Sequence, residues 1–205
     1  MSTGMQNAIS RTSQSFAPYY DANVNGNVYT FGISNTALVA ANAVATGLTA
    51  TSKPVVGLWN DVGTGKNLVV LNATVVATTI ANNAVAPGGF VWYKGLTETV
   101  ISTGSTPINC STLAASGSIA KVFAMGTALT GLVTSIVILR PSPITILNAG
   151  GPSTAITQPQ GMSEDRVDGS IIVPPGGVLS LMNQVATTTV SLGVSITWAE
   201  ENITS

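Results

Sequence analysis

Four charged residues lie together in one short segment of the chain, and their side chains could do acid–base or metal chemistry. They are Glu164, Asp165, Arg166 and Asp168, in a chain that has only seven basic and eight acidic residues. Neighbouring carboxylates can hold a cation or hydrolyse a glycoside. A calcium loop, however, needs ligands at alternating positions around a glycine, and a glycosidase needs two carboxylates that face each other across a cleft. We therefore interpret the cluster as the end of a loop, residues 150–166, that is solvated or lies between subunits, with Arg166 paired to a neighbour.

The other common catalytic groups are missing or occur in the wrong spacing. There is no histidine, so the usual general base and metal ligand is absent, and the single cysteine, Cys110, is interpreted as a small buried residue. Residues 63–66, Gly-Thr-Gly-Lys, suggest a phosphate-binding loop, but Asn60 stands where that motif needs glycine and Asn67 where it needs Ser or Thr. A hairpin turn is the better interpretation. We expect a protein that is not an enzyme and has no cofactor and no bound metal.

Charge is scarce along the whole chain. Charged residues make up 7% of the 205, against about 25% in an average globular protein, and the net charge is −1. Such a chain offers no basic patch for phosphates, so we expect no nucleic-acid partner. Charge normally keeps the surfaces of soluble monomers apart. The composition therefore indicates a surface that is covered by copies of the chain or by a larger assembly, or else one that Thr, Ser and Asn side chains keep soluble.

An uncharged run, residues 122–139, has the length of a membrane-spanning helix. Gly126 and Gly131 interrupt it, and it also contains threonine and serine, which favours two β-strands around a turn. The first fifteen residues are polar and lack the apolar core of a signal peptide. We expect a soluble protein with no membrane partner, made in the cytoplasm and used there or released by lysis.

The pattern of the remaining chain is typical of β-strands. Residues 189–198 alternate strictly, with Val, Leu, Val, Ile and Trp on one face and Thr, Ser, Gly, Ser and Thr on the other. Such alternation buries one face of an antiparallel strand and leaves a hydroxyl face outside. Around ten short strands separated by turn signals predict an all-β antiparallel sandwich with jelly-roll-like topology. We assign residues 25–205 to this single domain and residues 1–24 to an extended N-terminal arm.

The arm contains a small aromatic group, Phe16, Tyr19 and Tyr20. It shows no helical stripe of apolar residues. We therefore expect it to be extended and to contact a neighbouring subunit through these three side chains, with terminal disorder as the alternative.

The three tryptophans have different sequence surroundings. Trp59 and Trp198 lie in apolar strand patterns and are expected in the core. Trp92 is left open by the pattern, and its ring could line a sugar-binding platform.

Two segments resemble parts of tailed-phage capsid cement or decoration proteins. Residues 55–71 contain an apolar strand, then Asn-Asp-Val-Gly-Thr-Gly-Lys, then a second apolar strand, which is similar to a hairpin often seen in those virion proteins. Residues 170–201, with Pro-Pro-Gly-Gly at 174–177 and Trp-Ala-Glu-Glu at the end, are similar to their closing hairpin. Both motifs are structural and carry no chemistry.

The resemblance implies a jelly-roll-like virion structural protein on the capsid surface, placed at junctions between capsomers and assembled in the host cytoplasm. Such proteins are commonly homotrimers, so the implied partners are copies of the chain itself and the major capsid protein. The alternative from another functional class is a receptor- or glycan-binding β-sandwich module of a phage tail or fibre that uses Trp92.

Overall fold

The alternation at the C-terminus forms the strand that the sequence predicts, and other strands assemble around it. The computed structural model describes residues 19–37, 54–80, 88–97, 105–114, 117–124, 134–146, 164–184 and 190–203. One short helix within these residues, α1, spans Tyr20–Val24. The strands are β1 Val28–Ala37, β2 Val56–Asn60, β3 Lys66–Ile80, β4 Gly88–Leu96, β5 Ile108–Asn109, β6 Ala120–Ala124, β7 Thr134–Ile146, β8 Glu164–Val173, β9 Gly177–Asn183 and β10 Val190–Asn202.

These strands form two five-stranded sheets whose neighbouring strands are all antiparallel. The first sheet has the order β5-β1-β10-β3-β8 and the second the order β6-β2-β9-β4-β7. Without the short edge strands β5 and β6, each sheet keeps four strands, in the orders β1-β10-β3-β8 and β2-β9-β4-β7. This arrangement is the eight-stranded jelly roll with two added edge strands. The predicted all-β, jelly-roll-like sandwich is confirmed.

The core lies between the two sheets. Along β10 the predicted apolar row is buried from Leu192 to Trp198, and hydroxyl residues of the opposite row, such as Ser195, are half-buried. Trp198 stacks on Tyr29 of β1, with ring centroids 6.2 Å apart. Trp59 is buried too, in a second apolar cluster on the opposite face of β2 and its neighbours, because it alternates with the core residue Leu58. The predicted burial of Trp59 and Trp198 is confirmed.

No two described strands that follow each other in the chain are paired with each other. β2 and β3 lie in different sheets, and so do β8 and β9. Residues 61–65 and 174–176 are therefore arches that cross from one sheet to the other, and the hairpin predicted at each place is wrong. The period-two pattern shows which face of a strand is buried, but it carries no information about which sheet the strand joins.

Two strands have bounds that differ from the sequence prediction. β7 continues through Pro141 and Pro143, where two separate strands are predicted. It is an edge strand, and edge strands tolerate proline because one row of their amides has no partner strand to bond. β8 begins at Glu164, so the charged cluster lies on a strand and its interpretation as the end of a loop is wrong. Residues 150–163 of that predicted loop lie outside the described residues.

Parts of the uncharged run 122–139 are also described. Residues 122–124 belong to β6 and residues 134–139 to β7, so both are strands as predicted. In the described part of the chain, no helix is long and apolar enough to span a membrane.

Candidate functional site

The carboxylate of Asp165 joins the two sheets at one edge of the sandwich. Its side chain is 1% exposed, and its Oδ2 accepts hydrogen bonds from Trp92 Nε1 at 2.7 Å and from Ser142 Oγ at 2.8 Å. Its Oδ1 accepts one from Arg140 Nη2 at 2.8 Å. Asp165 lies on β8, whereas its three donors lie on β4 and β7 of the other sheet. Both oxygens are engaged by donors on the opposite sheet, so this carboxylate holds β8 to β4 and β7. It is poorly suited to proton transfer for the same reason.

A shallow depression lies beside Asp165, and both basic and acidic side chains line it. Arg140, Pro143, Glu164, Asp165 and Arg166 surround it. The side chain of Arg166 is 75% exposed, and its Nε lies 3.4 Å from Oε1 of Glu164. An exposed pair of this kind contributes little to stability, so Arg166 can exchange it for another acceptor at low cost. The contact of Arg166 with a neighbouring subunit stays a prediction.

Trp92 cannot serve as a sugar-binding platform. Its side chain is fully buried between the sheets, and its indole N–H is engaged by Asp165. A sugar stacks on an aromatic face that is open to solvent, so the platform proposed for the alternative function is wrong at this residue.

A second buried carboxylate, Glu200, lies on the core-facing side of β10, one alternation beyond Trp198. Its Oε1 accepts hydrogen bonds from Ser118 Oγ at 2.7 Å and from the Ile119 amide at 3.0 Å. Its Oε2 lies 3.4 Å from Nζ of Lys66. Glu200 is 2% exposed, because it continues the inward row of β10 at the end of the sandwich. It is a structural acceptor that ties the segment before β6 to the opposite sheet.

Ser118 and Lys121 have the Ser-x-x-Lys spacing that some acyl-transfer enzymes use on a helix, a match that the sequence interpretation missed. Here Lys121 lies exposed on strand β6, and the Ser118 hydroxyl donates to Glu200. One helical turn brings such a lysine back to its serine, whereas a strand carries it away. The pair therefore does not form a nucleophile and its base.

The two segments that resemble cement proteins meet in space at Asn60. Asn60 is fully buried at the end of β2. Its Nδ2 donates to the carbonyls of Lys66 at 2.8 Å and Val173 at 2.9 Å, and its Oδ1 accepts from Thr64 Oγ1 at 2.8 Å. The Gly176 amide donates to the Asn60 carbonyl at 2.7 Å. Asn60 therefore joins the two arches: its side chain bonds Thr64 and Val173, and its main-chain carbonyl accepts from Gly176.

We expect Asn60→Ala to lower the free energy of unfolding by about 2 kcal/mol, because the buried Val173 carbonyl and the partly buried Lys66 carbonyl lose their donor. Urea denaturation followed by tryptophan fluorescence measures the change. Asp61→Ala is the matched control, since the Asp61 carboxylate accepts an exposed bond from the Val62 amide, and we expect a change within about 0.5 kcal/mol. Equal effects of the two substitutions would contradict the role of Asn60.

The predicted arm residues are described in part. Tyr19 is half-buried and packs with Ala22 of α1 against the outer face of the first sheet, at Val28, Val69 and Ala199. Its side chain therefore contacts this chain's own strands, and a contact with a neighbour stays a prediction. Phe16 and the side chain of Tyr20 lie outside the described residues.

The hydroxyl of Tyr19 lies beside Gly169, where a larger residue would have its Cβ. Gly169 of β8 has a φ of +79°, and a Cβ there would collide with the Tyr19 hydroxyl. Burial raises the pKa of this hydroxyl, and the charges of Asp168 and Glu201 raise it further. Tyr19 therefore remains protonated at neutral pH.

A neutral groove lies on the outer face of the first sheet. A groove runs where Gly32 of β1 and Gly193 of β10 have no side chains, and Thr74, Thr78 and Ser195 are among its lining residues. None of the residues that line it is charged. The groove is suited to contacts through hydroxyl groups and van der Waals packing.

Neither a metal site nor a reactive thiol stands out among the residues described. They contain no group of three or more His, Cys, Asp or Glu side chains that could hold a metal ion. Cys110 is half-buried, and burial raises the pKa of its thiol. A raised pKa reduces the thiolate fraction and with it the nucleophilicity of the sulfur.

Comparison with known proteins gives little beyond the fold. No protein-family model matches the chain, and no curated protein sequence matches it. Among solved structures, the chain is similar to the unassembled VP1 pentamer of KI polyomavirus, with 8% sequence identity and a TM-score of 0.27 over 87% of this chain and 96% of that one. Similarity at this level carries no inference about function, and the jelly-roll assignment rests on the strand order itself.

Proposed function

We propose that this chain is a non-enzymatic virion structural protein, a cement or decoration protein that binds across neighbouring capsid subunits. The observation that carries the proposal is the meeting of the two cement-like segments at Asn60, at one end of an eight-stranded jelly roll. The bonded residues Asn60 and Val173 are 113 positions apart in sequence. The junction joins the two segments into one structural unit at this end of the fold.

The chemistry of the polar groups supports a structural role. Two carboxylates are buried among the described residues, Asp165 and Glu200, and both are engaged in bonds that join elements of the fold. The groove on the first sheet is neutral and rich in hydroxyl groups. A protein that clamps a shell needs many weak contacts repeated by symmetry, because avidity then replaces strong individual contacts.

The proposed partners are other copies of the chain, as a homotrimer, and the major capsid protein. In this arrangement the arm contributes Phe16 and Tyr20 to a neighbour, while Tyr19 anchors the start of α1 on its own sheet. Arg166 is exposed at the rim of the depression and pairs with an acidic group of the adjacent subunit.

The proposal is tested on virions purified from the natural source of the sequence. Mass spectrometry should find the chain at a copy number in the hundreds relative to single-copy portal components, and electron cryo-microscopy should place its jelly roll on the head, at junctions between capsomers. Absence from purified virions overturns the proposal. Density confined to the tail or a fibre also overturns it and favours a receptor-binding module.

A further inference from the structure

The outer face of the second sheet is buried, although it points away from the core. Its residues alternate along the strands with core residues such as Leu58 and Leu179. Six of them form one apolar cluster, and each is between 0% and 7% exposed: Trp59, Val91, Tyr93, Phe123, Val178 and Met182. On the outer face of the first sheet, by contrast, Gly32 and Thr78 are exposed. Every member of the cluster belongs to the second sheet, so within the described residues no apolar side chain of another element packs on it.

Two buried polar groups on this face indicate that a main chain passes over it. The indole N–H of Trp59 and the hydroxyl of Ser180 are buried and have no hydrogen-bond partner among the described residues. They lie on neighbouring strands, since Ser180 pairs with Gly57, two residues before Trp59. A buried donor without an acceptor is costly, and the carbonyls of a passing main chain can accept from both groups. Gly95, buried on the same face of β4, leaves room for the close approach of a backbone.

The strand order requires one connection to cross this sheet. β6 and β7 form its two edges, with β2, β9 and β4 between them. Four antiparallel pairings separate the two edge strands, so β6 and β7 run parallel to each other. Parallel strands of one sheet need a crossover connection. Here β6 ends at Ala124 and β7 begins at Thr134, so residues 125–133 make the crossover.

The length of this connection restricts its route. The register of the paired strands places Ala124 level with Trp92 of β4 and Thr134 level with Leu96. The two ends are therefore about 19 Å apart across the strands and about 13 Å apart along them, or about 23 Å in a straight line over the sheet. Ten peptide steps from residue 124 to residue 134 span at most about 35 Å.

The other routes are blocked or too long. The inner face of the sheet is filled by the core, where Leu58, Trp92 and Leu179 are fully buried. The shorter path round an end of the sheet needs about 32 Å before the chain turns out of one strand and into the next. The edge of β6 on that path is also occupied, because Ser105 bridges to Val122. The path over the outer face fits the available length.

We propose that residues 125–133 cross the outer face of the second sheet and cover its apolar cluster. The segment suits this surface, because it is uncharged and five of its nine residues are apolar: Met125, Ala128, Leu129, Leu132 and Val133. Its carbonyls accept from Trp59 and Ser180. A partner molecule then finds this face covered and binds at the first sheet or at a strand edge. The inference rests on strand order and chain length, so it does not depend on the capsid role.

The experiment is disulfide cross-linking in the full chain, with Cys110 replaced by alanine. Ser180→Cys, at the centre of the covered face, is combined in turn with Ala128→Cys, Leu129→Cys and Thr130→Cys, because neighbouring side chains of the segment point in different directions. We expect a disulfide within one chain for at least one of the three pairs, since a disulfide forms only when the two Cα atoms are within about 7 Å. Peptide mapping by mass spectrometry identifies it. Ser195→Cys, on the outer face of the first sheet, is the matched control and should form none with the same three partners.

Thiol labelling of Ser180→Cys in the same background gives a second measurement. Replacing Leu129, Leu132 and Val133 with serine should speed the reaction with a maleimide at least about tenfold, because a covered thiol reacts only when the fold opens locally. The labelling of Ser195→Cys should stay unchanged by the same replacement.

Three results overturn the proposal, with folding of each variant checked by circular dichroism. One is the absence of a disulfide in all three pairs with Ser180→Cys. Another is a disulfide with Ser195→Cys in place of Ser180→Cys. The third is a disulfide that links two chains, which would assign the cover to the segment of a second copy.

Discussion

Asp165→Ala is expected to lower the free energy of unfolding by about 3–5 kcal/mol, the largest effect of any single substitution that we propose. The change leaves the Trp92 indole N–H, the Ser142 hydroxyl and one face of the Arg140 guanidinium without their acceptor. The loss is this large because the buried Trp92 and Ser142 donors stay desolvated, whereas Arg140, whose side chain is 36% exposed, can be hydrated and contributes less. The contact between β8 and the opposite sheet is lost at the same time. Urea denaturation at neutral pH measures the change.

Glu164→Ala provides the matched control for Asp165. Glu164 is the preceding residue on the same strand, is 41% exposed in its side chain, and pairs with the exposed Arg166. We expect a change within about 0.5 kcal/mol. The near-ultraviolet circular dichroism of the tryptophans should change in Asp165→Ala and stay unchanged in Glu164→Ala. The reason is that Asp165 accepts a hydrogen bond from the Trp92 indole, whereas Glu164 does not contact it. Similar stability losses for both variants would contradict the proposed stabilising role of the Asp165 hydrogen bonds between the sheets.

Glu200→Ala is expected to lower the free energy of unfolding by about 3 kcal/mol. The Ser118 hydroxyl and the Ile119 amide lose a charged acceptor at a buried position. The loss from Lys66 is smaller, because its side chain is 29% exposed and can be hydrated. Thermal unfolding by calorimetry, together with hydrogen exchange at Ile119, measures both the global and the local effect.

Glu201→Ala is the matched control for Glu200→Ala, because it removes one negative charge at the end of β10 from an exposed position. Glu201 is the next residue of the strand and is exposed, so removing its charge changes the net charge equally without a buried partner. We expect its unfolding temperature to stay close to that of wild type and the exchange of the Ile119 amide to be unchanged. Faster exchange at Ile119 in this variant would show that the Glu200 bonds are not what protects that amide.

The strands were predictable where a short pattern is repeated in the sequence. The alternation of residues 189–198 predicted β10 and its buried face, and the apolar segments around Trp59 and Val178 predicted β2 and β9. Two of the three tryptophans were placed correctly for the same reason. A period-two pattern depends only on neighbouring residues, so it is readable without knowledge of the partner strands.

The role of the charged cluster was not predictable in the same way. Asp165, Val167 and Val173 all face inward from β8, so the strand pattern is present but is interrupted by a charged residue at a core position. The positive φ values of Asp168 and Gly169 interrupt it again. A carboxylate at such a position is tolerated only because donors from β4 and β7 satisfy it, and those strands are distant in sequence.

The amino-acid sequence by itself determined that the chain is an all-β sandwich, which strand faces are buried, and that the surface carries little charge. Only the tertiary structure decided that the arches at Asn60 and Gly176 cross between sheets, and that Trp92 is buried with its indole N–H bonded to Asp165. The physical reason is that burial of a strand face follows from local hydrophobic periodicity. Which strands become neighbours, and which polar groups they bring together, depends instead on contacts between segments far apart in the chain.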